Sequence, residues 1–199
     1  MKANPPLILA STSSYRKMLL DRLGLTFRCV APNCDESAYG GLKPDDLATT
    51  LAVAKAESLA AEAGLIIGSD QVVDLGGEIL GKPGNRERAI AQLTAMAGRS
   101  HRLITAVAVH ESATGRTEVT TDVHTLQMRS LSAATIARYV DYEQPFDCAG
   151  SYKLEGRGIA LFDRIDADPE TADSNAVIGL PITKLLQLLR RFDFELLDL

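Results

Sequence analysis

The chain has 199 residues, long enough for one well-buried domain or for two lobes flanking a cleft. Hydrophobic residues make up 46% and charged residues 24%, which excludes a disordered or fibrous chain. A net charge of -5, 5% aromatics and no Trp argue against a nucleic-acid surface, an anionic-membrane surface or a base-stacking platform, yet leave room for a local basic pocket holding a small anion.

Pro6-Leu7-Ile8-Leu9-Ala10 predicts a buried strand. Ser11-Thr12-Ser13-Ser14 follows, then a helix to about Leu23 with Tyr15, Leu19 and Leu23 on one face and Gly24 at its end. Thr26 to Ala31 predicts a second strand, and Pro44-Asp45-Asp46 starts a helix running to about Gly64. Leu65-Ile66-Ile67-Gly68 predicts another buried strand ending at Ser69-Asp70-Gln71, before a hairpin from Val72 to Leu80 that turns at Gly76-Gly77. Asn85 caps a helix with Ile90, Leu93 and Ala97 on one face before Gly98. Between His101 and Met128 two β-rich stretches turn at Ala113-Thr114-Gly115, and Ser132 opens a helix that finishes before Pro145. Gly158 to Ile165 is strand-like, Asp166 to Asn175 a polar loop, Ile182 to Phe192 the last helix and Phe194 to Leu197 an edge strand. This alternation predicts an α/β fold with its antiparallel portion in the middle.

Cys29, Cys34 and Cys148 have neither an even count nor metal-ligand spacing, which predicts reduced structural thiols in a cytoplasmic protein. The apolar run Leu7 to Ala10 is shorter than the ~7 residues of a signal-peptide core, and no run approaches the ~18 of a membrane span. The expected location is the cytoplasm.

Five segments carry chemistry. A strand feeding Ser11-Thr12-Ser13-Ser14 and a helix start presents backbone N–H groups and a helix dipole to one spot. Arg16 and Lys17 in the first turn oppose that dipole, a conflict an anionic ligand would remove; the alternative is an ordinary N-cap with solvated cations. Lys55 follows Leu51 and precedes Leu59 at four-residue spacing, so it lies on an apolar stripe and either snorkels to a rim or points into a cleft. Asp70 at the end of an apolar strand stands where α/β enzymes place ligands, or else forms a turn. Gly81-Lys82-Pro83 with Gly76 misses a phosphate-binding P-loop, because Pro83 replaces the Mg²⁺-binding hydroxyl. In Cys148-Ala149-Gly150-Ser151-Tyr152-Lys153-Leu154-Glu155-Gly156-Arg157-Gly158, small residues let a ligand approach the backbone while charged side chains reach it; alone, it could also be an exposed loop. Three scattered histidines give zinc chemistry or a His-based triad little support.

Together these residues resemble the Maf family of nucleotide pyrophosphatases across nearly the whole chain. Leu9-Ala10-Ser11-Thr12-Ser13-Ser14-Tyr15-Arg16-Lys17 is similar to its N-terminal signature, and Asp35-Glu36, Ala54-Lys55-Ala56, Gly68-Ser69-Asp70 and Gly81-Lys82-Pro83 follow in the family's order. Gln71 and the Cys148 to Gly156 segment look like the branch acting on 7-methyl-GTP, whereas the dTTP/UTP branch has Thr at the position of Gln71. Lys17 stands in place of a second Arg, losing the bidentate fork, and Tyr15 stands where this branch often has Trp, which weakens stacking.

The resemblance implies one domain over residues 1–199, with an elongated mixed sheet, flanking helices and a cleft between two lobes, as in inosine-triphosphatase-like proteins. It implies hydrolysis between the α- and β-phosphates, with Asp70 as general base or metal ligand, Glu36 as metal ligand, and Mg²⁺ or Mn²⁺ as the ion. Ser11, Arg16 and Lys17 would seat the phosphates, Lys55 and Lys82 would neutralise charge in the transition state, and Tyr15, Gln71 and Glu155 would select the base. Expected partners are a small nucleotide and a second copy in a homodimer, with neither nucleic acid nor membrane. The competing readings are a non-catalytic nucleotide-binding regulator of cell division and a broader house-cleaning pyrophosphatase.

Overall fold

A computed structural model describes residues 5–198; Met1 to Asn4, which precede the first apolar run, lie outside the described residues. Strand β1 (Leu7–Ala10) is buried along its whole length and pairs in parallel with β2 (Phe27–Val30) on one side and β3 (Leu65–Leu75) on the other. A strand covered on both faces has no use for polar alternation, hence the unbroken Leu-Ile-Leu-Ala run. β4 (Glu78–Leu80) folds back on β3 across Gly76 and Gly77, whose φ values of 67° and 98° suit a two-residue hairpin turn. β5 (Ser100–Glu111), β6 (Arg116–Met128) and β7 (Phe162–Ala167) complete a seven-stranded mixed sheet in the order β2-β1-β3-β5-β6-β7, with β4 beside β3. The helices are α1 (Ser14–Asp21), α2 (Pro44–Glu57), α3 (Arg86–Met96), α4 (Ala133–Glu143) and α5 (Ile182–Arg190). The α/β expectation is met, and among the described residues no helix is long and apolar enough to cross a membrane.

Two compact units divide the described residues: those up to Asp70, residues 105–122 and those from Asp173 onward form one, and residues 71–104 and 123–172 the other. In the first, Leu7, Leu9, Leu65, Ile67, Val107 and Val109 pack with residues of α1 and α5 into one apolar core. Even-numbered β3 residues face the other way, where Gly68 lies against α2 so closely that a Cβ would sit 2.1 Å from the Ala52 carbonyl oxygen. In the second unit His101, Tyr152 and Phe162 form a ring cluster, with centroids 5.0 to 5.7 Å apart. Ser13, Asn85 and Ser132 cap α1, α3 and α4 through their side-chain oxygens.

Several expectations need correction. α2 stops at Glu57 rather than near Gly64, with the Ser58 hydroxyl bonding the Lys55 carbonyl in its last turn. Ser69-Asp70-Gln71 does not end a strand: β3 continues unbroken to Leu75, because the Ser69 hydroxyl is satisfied by backbone carbonyls while the strand stays buried. The buried face of α3 is Ala89, Leu93 and Met96. Arg157–Leu161 is a 3-10 turn ahead of β7, and Leu196–Asp198 is a 3-10 turn rather than an edge strand, with Phe194 sunk into the core.

Candidate active site

The site in the first unit is built where parallel strands stop. β1 pairs with β3 as far as Leu9 opposite Ile67, so Asp70 lies just beyond the C-terminal end of the parallel ladder although it is interior to its own strand. Alternation sends the Asp70 side chain to the face that Gly68 presents to α2. From α2, Lys55 reaches it: Nζ donates to Asp70 Oδ1 at 2.5 Å, and Lys55 and Asp70 are only 6% and 7% exposed. The same ammonium pairs with Glu36 Oε1 at 2.8 Å. Glu36 opens a 3-10 turn (Glu36–Tyr39) capped by Asp35, whose carboxylate accepts from Ser37 N and Oγ. Lys55 therefore points inward to two carboxylates and does not snorkel.

Arg16 completes the cluster from α1. Its Nε donates to the Gly179 carbonyl at 2.9 Å. Burial lowers the Arg16 guanidinium from its ordinary value, and the charges of Asp70 and Glu36 pull it part-way back. Ser69, on the opposite face of β3 from Asp70, donates to the carbonyls of Ala106 (2.8 Å) and Gly179 (3.0 Å). Asp173 ties together the two ends of the segment that carries Gly179, accepting from Asn175 N and from Thr183 N and Oγ1 at the start of α5. Burial pushes the Asp70 carboxyl above its ordinary value, while Lys55 and Arg16 pull it part-way back. A carboxylate so placed accepts a proton more readily than an exposed one.

Ser11 is buried, its Oγ accepting from Ser13 N at 3.1 Å at the entry to α1, and Tyr15 is half-buried on the first turn. Lys17 is turned outward, its Nζ 2.7 Å from Asp21 and 5.8 Å from the Phe27 ring centre. In the second unit Gln71 is half-buried, while Lys82 and Glu155 are exposed on separate loops. Cys29, Cys34 and Cys148 are free thiols, and burial raises Cys148 to about 12. A groove of about 660 Å³ beside this cluster is lined by Cys34, Asp35, Tyr39, Thr50, Val53 and Glu57. Sequence reasoning missed Ser69, Asp173 and the Gly179 carbonyl; the one signal was Gly179 itself, at φ 122°.

Among the described residues no three His, Cys, Asp or Glu side chains converge as a ready metal cage. Two carboxylates do meet on one cation, the Lys55 ammonium. Two carboxylates are also the usual protein share of a Mg²⁺ site, phosphates and waters supplying the rest, so the donor set fits a hard divalent ion that arrives with a polyphosphate.

Residues 6–192 match the family described as Maf-like protein. The chain belongs to the Maf family. Among curated Maf relatives, it is 46% identical over 195 residues to the 7-methyl-GTP pyrophosphatase of Vibrio vulnificus (strain CMCP6), covering 98% of both chains. It is 48% identical over 194 residues to the 7-methyl-GTP pyrophosphatase of Xanthomonas axonopodis pv. citri (strain 306), covering 96% of this chain and 99% of that one. A solved nucleoside-triphosphatase / dITP/XTP pyrophosphatase from Mycobacterium abscessus aligns at TM-score 0.40 and 16% identity, over 63% of this chain and 75% of that one, a likeness too loose to carry fold or function.

Proposed function

We propose that this Maf protein is a nucleoside triphosphate pyrophosphatase that converts 7-methyl-GTP to 7-methyl-GMP and pyrophosphate, working in the cytoplasm as one domain over residues 1–199. The observation that carries the chemistry is the buried Asp70 bound to Lys55, with Arg16 and Glu36 beside it. Near-full-length identity of 46% and 48% to relatives named for 7-methyl-GTP supports the substrate.

In this reading a water attacks phosphorus, the α–β bridging P–O bond breaks, and Asp70 takes the water's proton as pyrophosphate leaves. Ser11 and Arg16 seat the phosphates at the start of α1, with Lys17 reaching them only if it leaves Asp21. Lys55 and Lys82 offset the charge that grows on the phosphate oxygens. Glu36 and Asp70 would hold a divalent ion, Mg²⁺ or Mn²⁺, which when bound supplies further neutralisation of the polyphosphate. The cationic 7-methylguanine ring would stack on Tyr15, with Glu155 accepting its N–H donors and Gln71 adding an amide contact.

The test is kcat/KM for 7-methyl-GTP, GTP, dTTP and UTP with Mg²⁺, Mn²⁺ and Co²⁺. A preference of about tenfold or more for 7-methyl-GTP is expected. Equal rates on all four would end the substrate claim, and binding without turnover under every metal would make the protein a sensor.

A further inference from the structure

Two loops of the second unit carry proposed substrate contacts, Gly81-Lys82-Pro83 and Cys148 to Glu155, and one side chain touches both. Gln92, on α3, donates from Nε2 to the Gly81 carbonyl at 3.0 Å and accepts at Oε1 from the Ser151 hydroxyl at 2.5 Å. A carbonyl can only accept, so the amide nitrogen must face Gly81 and its oxygen must face Ser151.

The Ser151 end of this bridge falls where the chain needs holding. Gly150 and Ser151 are successive left-handed residues, φ 70° and 63°, and Ser151 is fully buried. A non-glycine residue in that region persists only when its surroundings hold it. A Cβ on Gly150 would lie 2.9 Å from the Tyr152 ring, so the loop has no slack on that side. Further on, Lys153 N donates to the Tyr139 hydroxyl at 3.0 Å and Arg157 N to Glu143 Oε1 at 2.8 Å, tying that stretch to α4. Glu155 thus lies between two α4 anchorages, at Lys153 and Arg157, and the Ser151 bond to α3 holds the loop two residues before the first of them. Lys82 directly follows the carbonyl that Gln92 holds.

We infer that Gln92 is a positioning residue, whose amide sets the Lys82 loop and the Glu155 loop in register so that phosphate charge and base are met together. The inference depends on Lys82 and Glu155 meeting the substrate as proposed above. Its two hydrogen bonds are separable. Gln92→Glu keeps an acceptor for Ser151 but places an acceptor against the Gly81 carbonyl, whereas Ser151→Ala removes the bond on the base side alone.

In the full chain, Gln92→Ala is expected to lower kcat/KM for 7-methyl-GTP by roughly 10- to 100-fold and to reduce its preference over GTP. Gln92→Glu is expected to lose turnover on both nucleotides and keep the preference. Ser151→Ala is expected to lose preference and keep GTP turnover. The preference ratio does not depend on how much of a variant is folded, so a merely structural role would leave it unmoved. Rates and preference within about twofold of wild type in Gln92→Ala, or uniform loss at unchanged preference in all three variants, overturns the brace. Lys82→Ala and Glu155→Ala are measured alongside. If both leave turnover and preference intact, the reading of the site fails and the brace falls with it; if they lower them while the Gln92 variants do not, the brace alone fails.

Discussion

In the proposed mechanism the chemistry turns on Asp70. Burial lifts its carboxyl above the ordinary value, and Lys55 and Arg16 lower it again. Asp70→Asn is expected to cut pyrophosphate release by about 1000-fold while nucleotide affinity stays within about tenfold, because the amide keeps the shape but accepts no proton. A raised carboxyl also predicts where activity is lost in acid. Once the titration of the substrate's terminal phosphate is allowed for, kcat/KM should fall as pH drops through a midpoint above that of a solvated aspartate. Lys55→Met removes a cation that favours the ionised form, so its acid limb should move to higher pH. An acid limb that stays in place would show that another group sets it. From its spacing alone Lys55 was legible as a lysine on the apolar stripe of its helix, with a rim and a cleft both open to it. That its partners are Glu36 and Asp70 was not, since nothing in a linear stripe names what lies across from it.

Among the elements, the contact between β3 and α2 sets the distance from Asp70 to Lys55. Gly68 makes it: a Cβ there would fall 2.1 Å from Ala52 O and 2.7 Å from Ala56 N, backbone atoms that cannot step aside singly. Gly68→Ala should therefore push α2 from the sheet, destabilising the protein by at least about 1–3 kcal/mol and lowering kcat by separating Lys55 from Asp70. A Tm and a kcat both equal to wild type would refute the close contact. The glycine could be read as the tail of an apolar strand, but its reason could not, because the crowding is with a helix separated from that strand by the seven residues 58–64. The continuous β3 was misread for a related cause. Ser69 and Asp70 look like a strand ending until the carbonyls of Ala106 and Gly179 and the ammonium of Lys55 satisfy them in place.

For the whole molecule, stability against acid has an identifiable contributor away from the site. His101 is buried against Tyr152 and Phe162, Nε2 3.0 Å from the Tyr152 hydroxyl, and burial lowers its pKa to about 4. The unfolded chain takes up that proton near 6.5 and the folded one only near 4, so between those values unfolding binds a proton and stability falls as pH falls. The loss should reach on the order of 3 kcal/mol by pH 4, seen in urea midpoints, and His101→Phe should lack that part of the pH dependence. The sequence by itself determined the α/β class, the order of most elements, the helix caps Asn85 and Ser132 and the family, because apolar runs, cap residues and motif order are read along the chain. Only tertiary structure decided that Lys55, Glu36, Asp70 and Arg16 form one charged cluster, and that the Gly179 carbonyl orients Arg16. Charge pairing and backbone acceptance act through space between segments as much as 163 residues apart in the chain, and a net charge of -5 carries no trace of them.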